Sequence, residues 1–430
     1  MDIRDKLRQI ESLQKRPEST PVFRSSSPVA DFEIGCVIDG FTKPTAHGHF
    51  FCHQRDYPLE HRHGEIEITA LLLKPASLLA TVSQDRTFEN IDLKKILFLD
   101  TETTGISGGT GMFAFLVGLG WFTENGFRVQ QLFLDDIKNE QALLHELNRV
   151  FEQHEIIVSY NGKSFDAPLL ESRYVSHRLT TPLTSRPHLD LLHCVRRFWK
   201  QCLPDCALTT IESQILKHWR TGDIPSYLIP HIYFDYLHDR DARPLKPVFY
   251  HNREDLLAMA AILIRLLQLV EDPWQSENVF EVLSLGKIYE NMLQYERAIE
   301  LYTKLLQNSL AGSLRREALV RTAFDYKRLG KWSQAAETWE TYLGTESFHP
   351  LPYIELAKHH EHRDRELAKA KKMVEKALAE LNIVEGLGRR TDWIVYREDL
   401  EYRWKRLTRK INTTSKSSAV TPFPDWTQVE

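Results

Sequence analysis

The stretch Ile91-Asp-Leu-Lys-Lys-Ile-Leu-Phe-Leu-Asp-Thr-Glu-Thr-Thr-Gly105 decides the fold. Its apolar run, Ile96 to Leu99, is bounded by charge and ends in Asp100-Thr-Glu102. It reads as a buried central strand whose exit carries two carboxylates. Alternate side chains of a strand share a face, so Asp100 and Glu102 project from the same side. Two acids crowded at the end of a buried strand repel each other and lose hydration, which calls for a compensating cation. An all-oxygen site suits Mg2+ or Mn2+. An exposed loop in which two acids follow a strand gives the same tripeptide, so the downstream residues must decide.

Downstream of the acidic strand, Gly105-Ile-Ser-Gly-Gly-Thr-Gly111 is a glycine-rich loop, either a turn or a cradle of N–H groups for phosphate. The runs Met112 to Phe122 and Phe127 to Leu134 flank Asn125-Gly126, a strong hairpin signal. Glu140 to Gln153 places Leu143, Leu144, Leu147, Val150 and Phe151 on one helical face, and Ile156 to Tyr160 follows as a buried strand. Three strands, a helix and a strand are how a ribonuclease H-like mixed α/β sheet begins.

That strand runs into Asn161-Gly-Lys-Ser-Phe-Asp166, a second acid beyond a strand end, where α/β sites collect. Asp166 also suits the cap of a helix over Ala167 to Tyr174. His188-Leu-Asp190 is a further short strand, and Asp190 a weaker candidate ligand. Val248 to Asp255 opens an apolar helix, Leu256 to Val270, with His251 and Asp255 one turn apart on the same face. A surface histidine and a first-turn acid are the plain alternatives there.

Composition sets the frame. The chain has 430 residues, 42% hydrophobic and 27% charged, enough for two or three domains. Its net charge of −4 gives no global attraction to nucleic acid, so a polyanion site must be a local basic patch or a metal. No apolar run is long enough to span a membrane, and the N-terminus has no signal-peptide pattern. Five cysteines without such a signal indicate a reducing cytoplasm.

Residues 1–30 are expected to be a flexible leader, and 31–90 a lead-in segment packed on a catalytic domain at 91–272. In the lead-in, His47, His49, His53, His61 and His63 gather near Cys36 and Cys52. Their spacing matches no zinc module and favours surface histidines. Cys194, Cys202 and Cys206 likewise lack a paired Cys-x-x-Cys unit and read as reduced packing residues.

From 273 to 411 the chain turns to amphipathic helices. Leu285-Gly-Lys-Ile-Tyr289 with Ala298, Ala323-Phe-Asp-Tyr326 with Ala335, and Leu356-Ala357 with Ala370 recur at tetratricopeptide-like spacing, an all-α repeat domain. The last helix carries Trp393, Tyr396, Leu400, Trp404, Leu407 and Ile411 on one stripe. Its basic end, Arg403, Lys405, Arg406, Arg409 and Lys410, is a solvated face or a phosphate contact. Residues 412–430 are expected to be disordered.

Asp100, Glu102, Asp166, His251 and Asp255, in that order, resemble the DEDD (DnaQ-like) exonuclease superfamily over Ile96 to Val270. Three residues separate His251 from Asp255; the histidine branch of that superfamily usually has four, a gap that Tyr250 would satisfy. His251 remains the favoured base because it shares a face with Asp255 and titrates near neutrality. A closer resemblance is to the YprB-like family, which includes a bacterial mitomycin repair exonuclease. It is carried by Phe98 to Gly111, Phe115-Leu-Val-Gly118, Cys206-Ala-Leu-Thr-Thr-Ile-Glu212 and Gly222-Asp-Ile-Pro225, with Ser226 standing where glycine is expected.

The resemblance implies a 3′–5′ exonuclease acting on DNA in repair, with a helicase as a possible partner of the repeats. It implies two divalent cations held by Asp100, Glu102, Asp166 and Asp255, with His251 as base. Thr103, Gly105, Asn161 and Phe165, beside the acids, are the candidate substrate contacts. An RNA 3′-trimming nuclease, or a non-catalytic adaptor built on a relic nuclease fold, are the alternatives.

Overall fold

The computed structural model describes residues 32–105, 111–307, 310, 312–345, 348–387 and 393–417. The expected leader at 1–30, the loop centre at 106–110 and the end of the tail at 418–430 lie outside the described residues.

The acidic stretch is β5, Ile96–Thr103, in the interior of a seven-stranded sheet. With β1 (Phe41–Thr45), β2 (Gly48–Pro58), β6 (Ala114–Thr123), β7 (Gly126–Phe133), β8 (Ile156–Ser159) and β9 (His188–Asp190), the order is β1-β2-β7-β6-β5-β8-β9. β5 pairs antiparallel with β6, Asp100 opposite Gly118, and parallel with β8, Ile96 opposite Ile156. The register shifts between Glu102 and Thr103, the kind of irregularity that re-aims side chains at a strand end.

Alternation along β5 feeds two cores. Ile96 and Phe98 pack on one face and Leu97 and Leu99 on the other, so the sheet is covered on both sides. Helices α1 (Glu140–Glu152), α2 (Asp166–Ser176), α3 (Leu191–Trp199), α4 (Ile229–Asp239) and α5 (Lys246–Glu271) flank it. The fold is a ribonuclease H-like mixed sheet with flanking helices, followed by an all-helical region.

Three expectations change. Residues 41–58 are not a lead-in resting on the domain: β2 pairs with β7 from Phe51–Phe133 to Pro58–Gly126, so they supply two strands of the sheet itself. α5 starts at Lys246, ahead of the expected opening at Val248, with Pro247 in its first turn where the missing N–H costs nothing. The last helix runs to Ser417, so residues 412–417, expected to be disordered, continue it.

β6 contains a glycine where a side chain would collide with α5. A Cβ at Gly118 would lie 2.2 Å from Asn252 Oδ1, so the strand's bare backbone admits that amide beside Asp100. Gly118→Ala is expected to destabilise the protein by ~1–3 kcal/mol, as overpacking does, and to cut activity through displacement of Asn252. A denaturant titration beside a rate measurement checks both.

The helical region comprises α6 (Val279–Asn291), α7 (Tyr295–Gln307), α8 (Gly312–Arg328), α9 (Trp332–Leu343), α10 (Pro350–His362), α11 (Leu367–Gly386) and α12 (Ile394–Ser417). α6 and α7 share the core of the sheet domain through Val282, Leu285, Ala298 and Tyr302. Glu281 accepts from Trp199 Nε1 at 2.5 Å and from Arg265 Nη2 at 2.9 Å, which fastens the junction. Leu400 and Leu407 of α12 are buried against α10 and α11, with Trp393, Tyr396 and Trp404 beside them. Of the basic residues at its end, Arg403, Arg406 and Lys410 pair with the buried carboxylate of Glu361. Their charge braces α12 on α10, which weakens the reading of this end as a phosphate contact.

Candidate active site

Three elements deliver the four acids. Asp100 and Glu102 come from the end of β5, Asp166 from the first residue of α2, and Asp255 from α5 one turn beyond His251. Glu102, Asp166 and His251 are each 8% exposed. The four carboxylates are close enough to shift one another. Burial drives Asp100 well above the usual carboxylate range, and the charges of Asp255, Glu102 and Asp166 push it further. Burial, with Asp255 and Asp166, pushes Glu102 up to about 8 against the pull of His251. Burial raises Asp166 to about 6 although Thr101 opposes it, and raises Asp255 although Arg220 and His251 oppose it.

Orientation is fixed by neutral partners and one cation. Asn252, fully buried, donates from Nδ2 to Asp100 Oδ2 at 2.7 Å, and its Oδ1 accepts from Gln131 Nε2 at 2.7 Å. Thr101 Oγ1 donates to Asp166 Oδ1. Arg220 Nη2 lies 2.5 Å from Asp255 Oδ1 and 2.7 Å from Glu212 Oε2, and Nη1 lies 3.2 Å from Asp223 Oδ2.

His251 sits among acids on two sides. Its Nδ1 is 2.8 Å from Asp223 Oδ1, and Nε2 lies 3.7 Å from Asp255 Oδ2 and 3.3 Å from Ser226 Oγ. Burial works against its charge, but Asp223, Asp255 and Glu102 outweigh it and carry His251 up to about 9. Tyr250, the residue with the alternative spacing, points elsewhere: its hydroxyl accepts from Thr221 N at 3.3 Å and Arg253 lies over its ring.

Two expectations need correction. Asp190 is not placed as a ligand: Oδ1 accepts from Asn161 N and Leu192 N at 2.8 and 3.0 Å, and Oδ2 from Lys163 N at 3.2 Å. It shapes the turn between β8 and α2 and caps α3. Asp166 does not cap α2 either, since that position belongs to Phe165.

The candidate substrate contacts lie near the acids along the chain. Thr103 Oγ1 donates to Gly105 O at 2.7 Å, within the turn that leaves β5. Asn161 adopts φ +65° at the end of β8, and Phe165, beside Asp166, is 46% exposed. Asn161 also lines an open cleft of about 740 Å3 with Arg196 and Lys200.

The five lead-in histidines do not converge. His47 stacks on His145 and His61 packs on Tyr57, whereas His63, expected at the surface, is buried against Glu212. Cys194 is buried, and Cys194, Cys202 and Cys206 are free thiols, consistent with packing roles.

Sequence reasoning missed Arg220, Asp223 and Asn252 as contributors. The first two flank or fall in Gly222-Asp-Ile-Pro225, a motif with no assigned role, and Asn252 adjoins His251.

Residues 97–267 match the RNase H superfamily, through the family RNase_H_2. That range contains all four acids and His251. The chain is also 30% identical over 335 residues to YprB of Bacillus subtilis (strain 168), covering 76% of this chain and 79% of that protein. It belongs to the YprB family. Among solved structures, a family B DNA polymerase from the archaeon Pyrobaculum calidifontis aligns with a TM-score of 0.34 at 12% identity, over 49% of this chain and 29% of the polymerase.

The donor set fits divalent cations. The four carboxylates, Glu102 and Asp166 buried and Asp100 and Asp255 half-buried, offer only oxygen, and burial together with their mutual repulsion makes ionising them costly unless a cation joins them. Among the described residues, no helix is long and apolar enough to cross a membrane.

Proposed function

We infer that the chain is a metal-dependent nuclease that hydrolyses phosphodiesters at a 3′ end, with DNA as its substrate. The observation that carries this reading is the convergence of Asp100, Glu102, Asp166 and Asp255, buried or half-buried and mutually repelling, beside His251. The 3′–5′ direction, DNA, and a repair role alongside a helicase rest on the resemblance to DEDD and YprB-like exonucleases.

Asp100, Glu102, Asp166 and Asp255 would hold Mg2+ or Mn2+. Bound there, divalent ions polarise the phosphate and lower the pKa of the attacking water. His251, once deprotonated, accepts that water's proton at Nε2, while Asp223 keeps Nδ1 as the protonated nitrogen. Arg220 holds Asp255 from outside and Asn252 holds Asp100, so neither carboxylate needs to reorganise. Asn161, Arg196 and Lys200 line a path for the strand's phosphates, and exposed Phe165 offers a face for the terminal base.

Digestion of 5′-labelled single- and double-stranded DNA and of RNA, with Mg2+, Mn2+ or chelator, tests the reading. The expected result is a ladder shortening from the 3′ end of DNA that vanishes with chelator and returns with added Mg2+. Chelator-resistant cleavage, or none on any substrate, overturns it. Activity confined to RNA transfers the same chemistry to RNA trimming.

A further inference from the structure

A second group of ligating side chains stands behind Arg220, outside the carboxylate pocket. The strand pair β3 (Arg62–His63) and β4 (Ile66–Glu67) docks on a π-helical turn at Glu212–Leu216. Gly64, at φ +60°, makes the docking possible, because a Cβ there would fall 2.0 Å from Leu216 O. Glu65 N donates to Leu216 O at 3.0 Å, and His218 N to Glu212 O at 2.9 Å. The backbone thereby holds the His63 and His218 rings stacked, centroids 3.8 Å apart.

One ligand atom from each of His63, Glu212 and His218 lies within 4.8 Å of the others. His63 and Glu212 are each 1% exposed, and His63 Nε2 is 2.9 Å from Glu212 Oε1. A buried His63–Glu212–Arg220 network accounts for those two side chains without any ion. It does not account for His218. The Nε2 of His218 is buried without a hydrogen-bond partner, 3.5 Å from Glu254 Oε2. Stacked imidazoles cannot both carry a proton cheaply, whereas rotation of the two rings out of the stack lets a nitrogen of each face one cation beside the carboxylate.

We propose that His63, Glu212 and His218, with Glu254 as the nearest fourth donor, form a transition-metal site that takes Zn2+ or a similar borderline-soft ion. Two nitrogens with carboxylate oxygen select such an ion over Mg2+, which the all-oxygen pocket favours. Glu212 binds with Oε1 and keeps Oε2 for Arg220, whose Nη2 reaches Asp255. The ion thus ties β3–β4 to the loop that carries Arg220 and Asp223 and steadies it from behind. The side chain of His218, 25% exposed, gives the ion its way in from solvent.

The test uses the full chain, stripped with chelator and titrated with Co2+ and then Zn2+. The expected result is one equivalent of Co2+ with visible d–d absorption, displaced by Zn2+, and a melting temperature raised by several degrees on Zn2+ binding. His218→Gln, at a partly exposed position, and His63→Gln lose the signal, while Asp100→Asn keeps it. That last arm separates this site from the nuclease pocket, whose status the assay does not depend on. Absence of the Co2+ signal in the wild-type chain, its persistence in both histidine variants, or its loss in Asp100→Asn overturns the proposal.

Discussion

Asp100→Asn is expected to abolish hydrolysis and, in the absence of divalent ions, to raise the melting temperature. Both effects have one cause. Asp100 is held well above the usual carboxylate range by burial and by the charges of Asp255, Glu102 and Asp166. Its ionised form is costly in the empty pocket and necessary for holding a cation. The amide keeps the shape, and its Oδ1 still accepts from Asn252 Nδ2, so no buried donor is orphaned. A neutral amide removes the cost of burying an ionisable carboxyl beside three others, about 1 kcal/mol or more, a shift of a few degrees. The rate falls by ~10^3-fold or more, beyond the ~10–100-fold that loss of an outer partner costs. Thermal melts in chelator and the end-labelled digestion measure the two effects on the same preparation. Normal turnover, or a melting temperature that drops, would count against the assignment of Asp100.

Asp223→Asn addresses the proposed proton acceptor, His251. Asp223 faces His251 Nδ1 at 2.8 Å and is among the groups that raise the histidine to about 9. An amide there fixes neither the tautomer nor the ring. The expected loss in kcat is ~10–100-fold with KM little changed, because no contact to substrate is removed. The sign of the pH effect follows from the raised value: without Asp223, His251 loses its proton at lower pH, so the rising limb of the rate profile moves toward acid while its plateau falls. A change confined to KM, or a limb that stays in place, would show that Asp223 only supports the loop.

The residues differ in how far the sequence exposes them. β5 is legible because a four-residue apolar run ends in two acids at strand spacing, and the structure keeps Asp100 and Glu102 on that strand. His251 and Asp255 are legible through helical periodicity alone, whatever the start of the helix. Arg220 and Asp223 follow no period. They reach the site through a loop after a π-helical turn, and their partners lie 28 to 35 positions away.

Asn252 had a faint signal in Gly118, an isolated glycine in an apolar strand, which often marks close approach by another segment. β1 and β2 were missed because the burial alternation of Gly48–Pro58 is irregular and its partner β7 lies some 70 residues on. Asp190 shows the opposite failure: an acid at a strand end, suited to a ligand by type, is consumed by three backbone N–H groups.

The central claim is that carboxylates from three separated segments make one cation-binding pocket. Anomalous diffraction from crystals grown with Mn2+ tests it most directly. The account predicts strong peaks bounded by Asp100, Glu102, Asp166 and Asp255, with about 3.5–4 Å between two ions if both positions fill. Saturating Mn2+ that leaves this pocket without density, while those four side chains keep their positions, would contradict it.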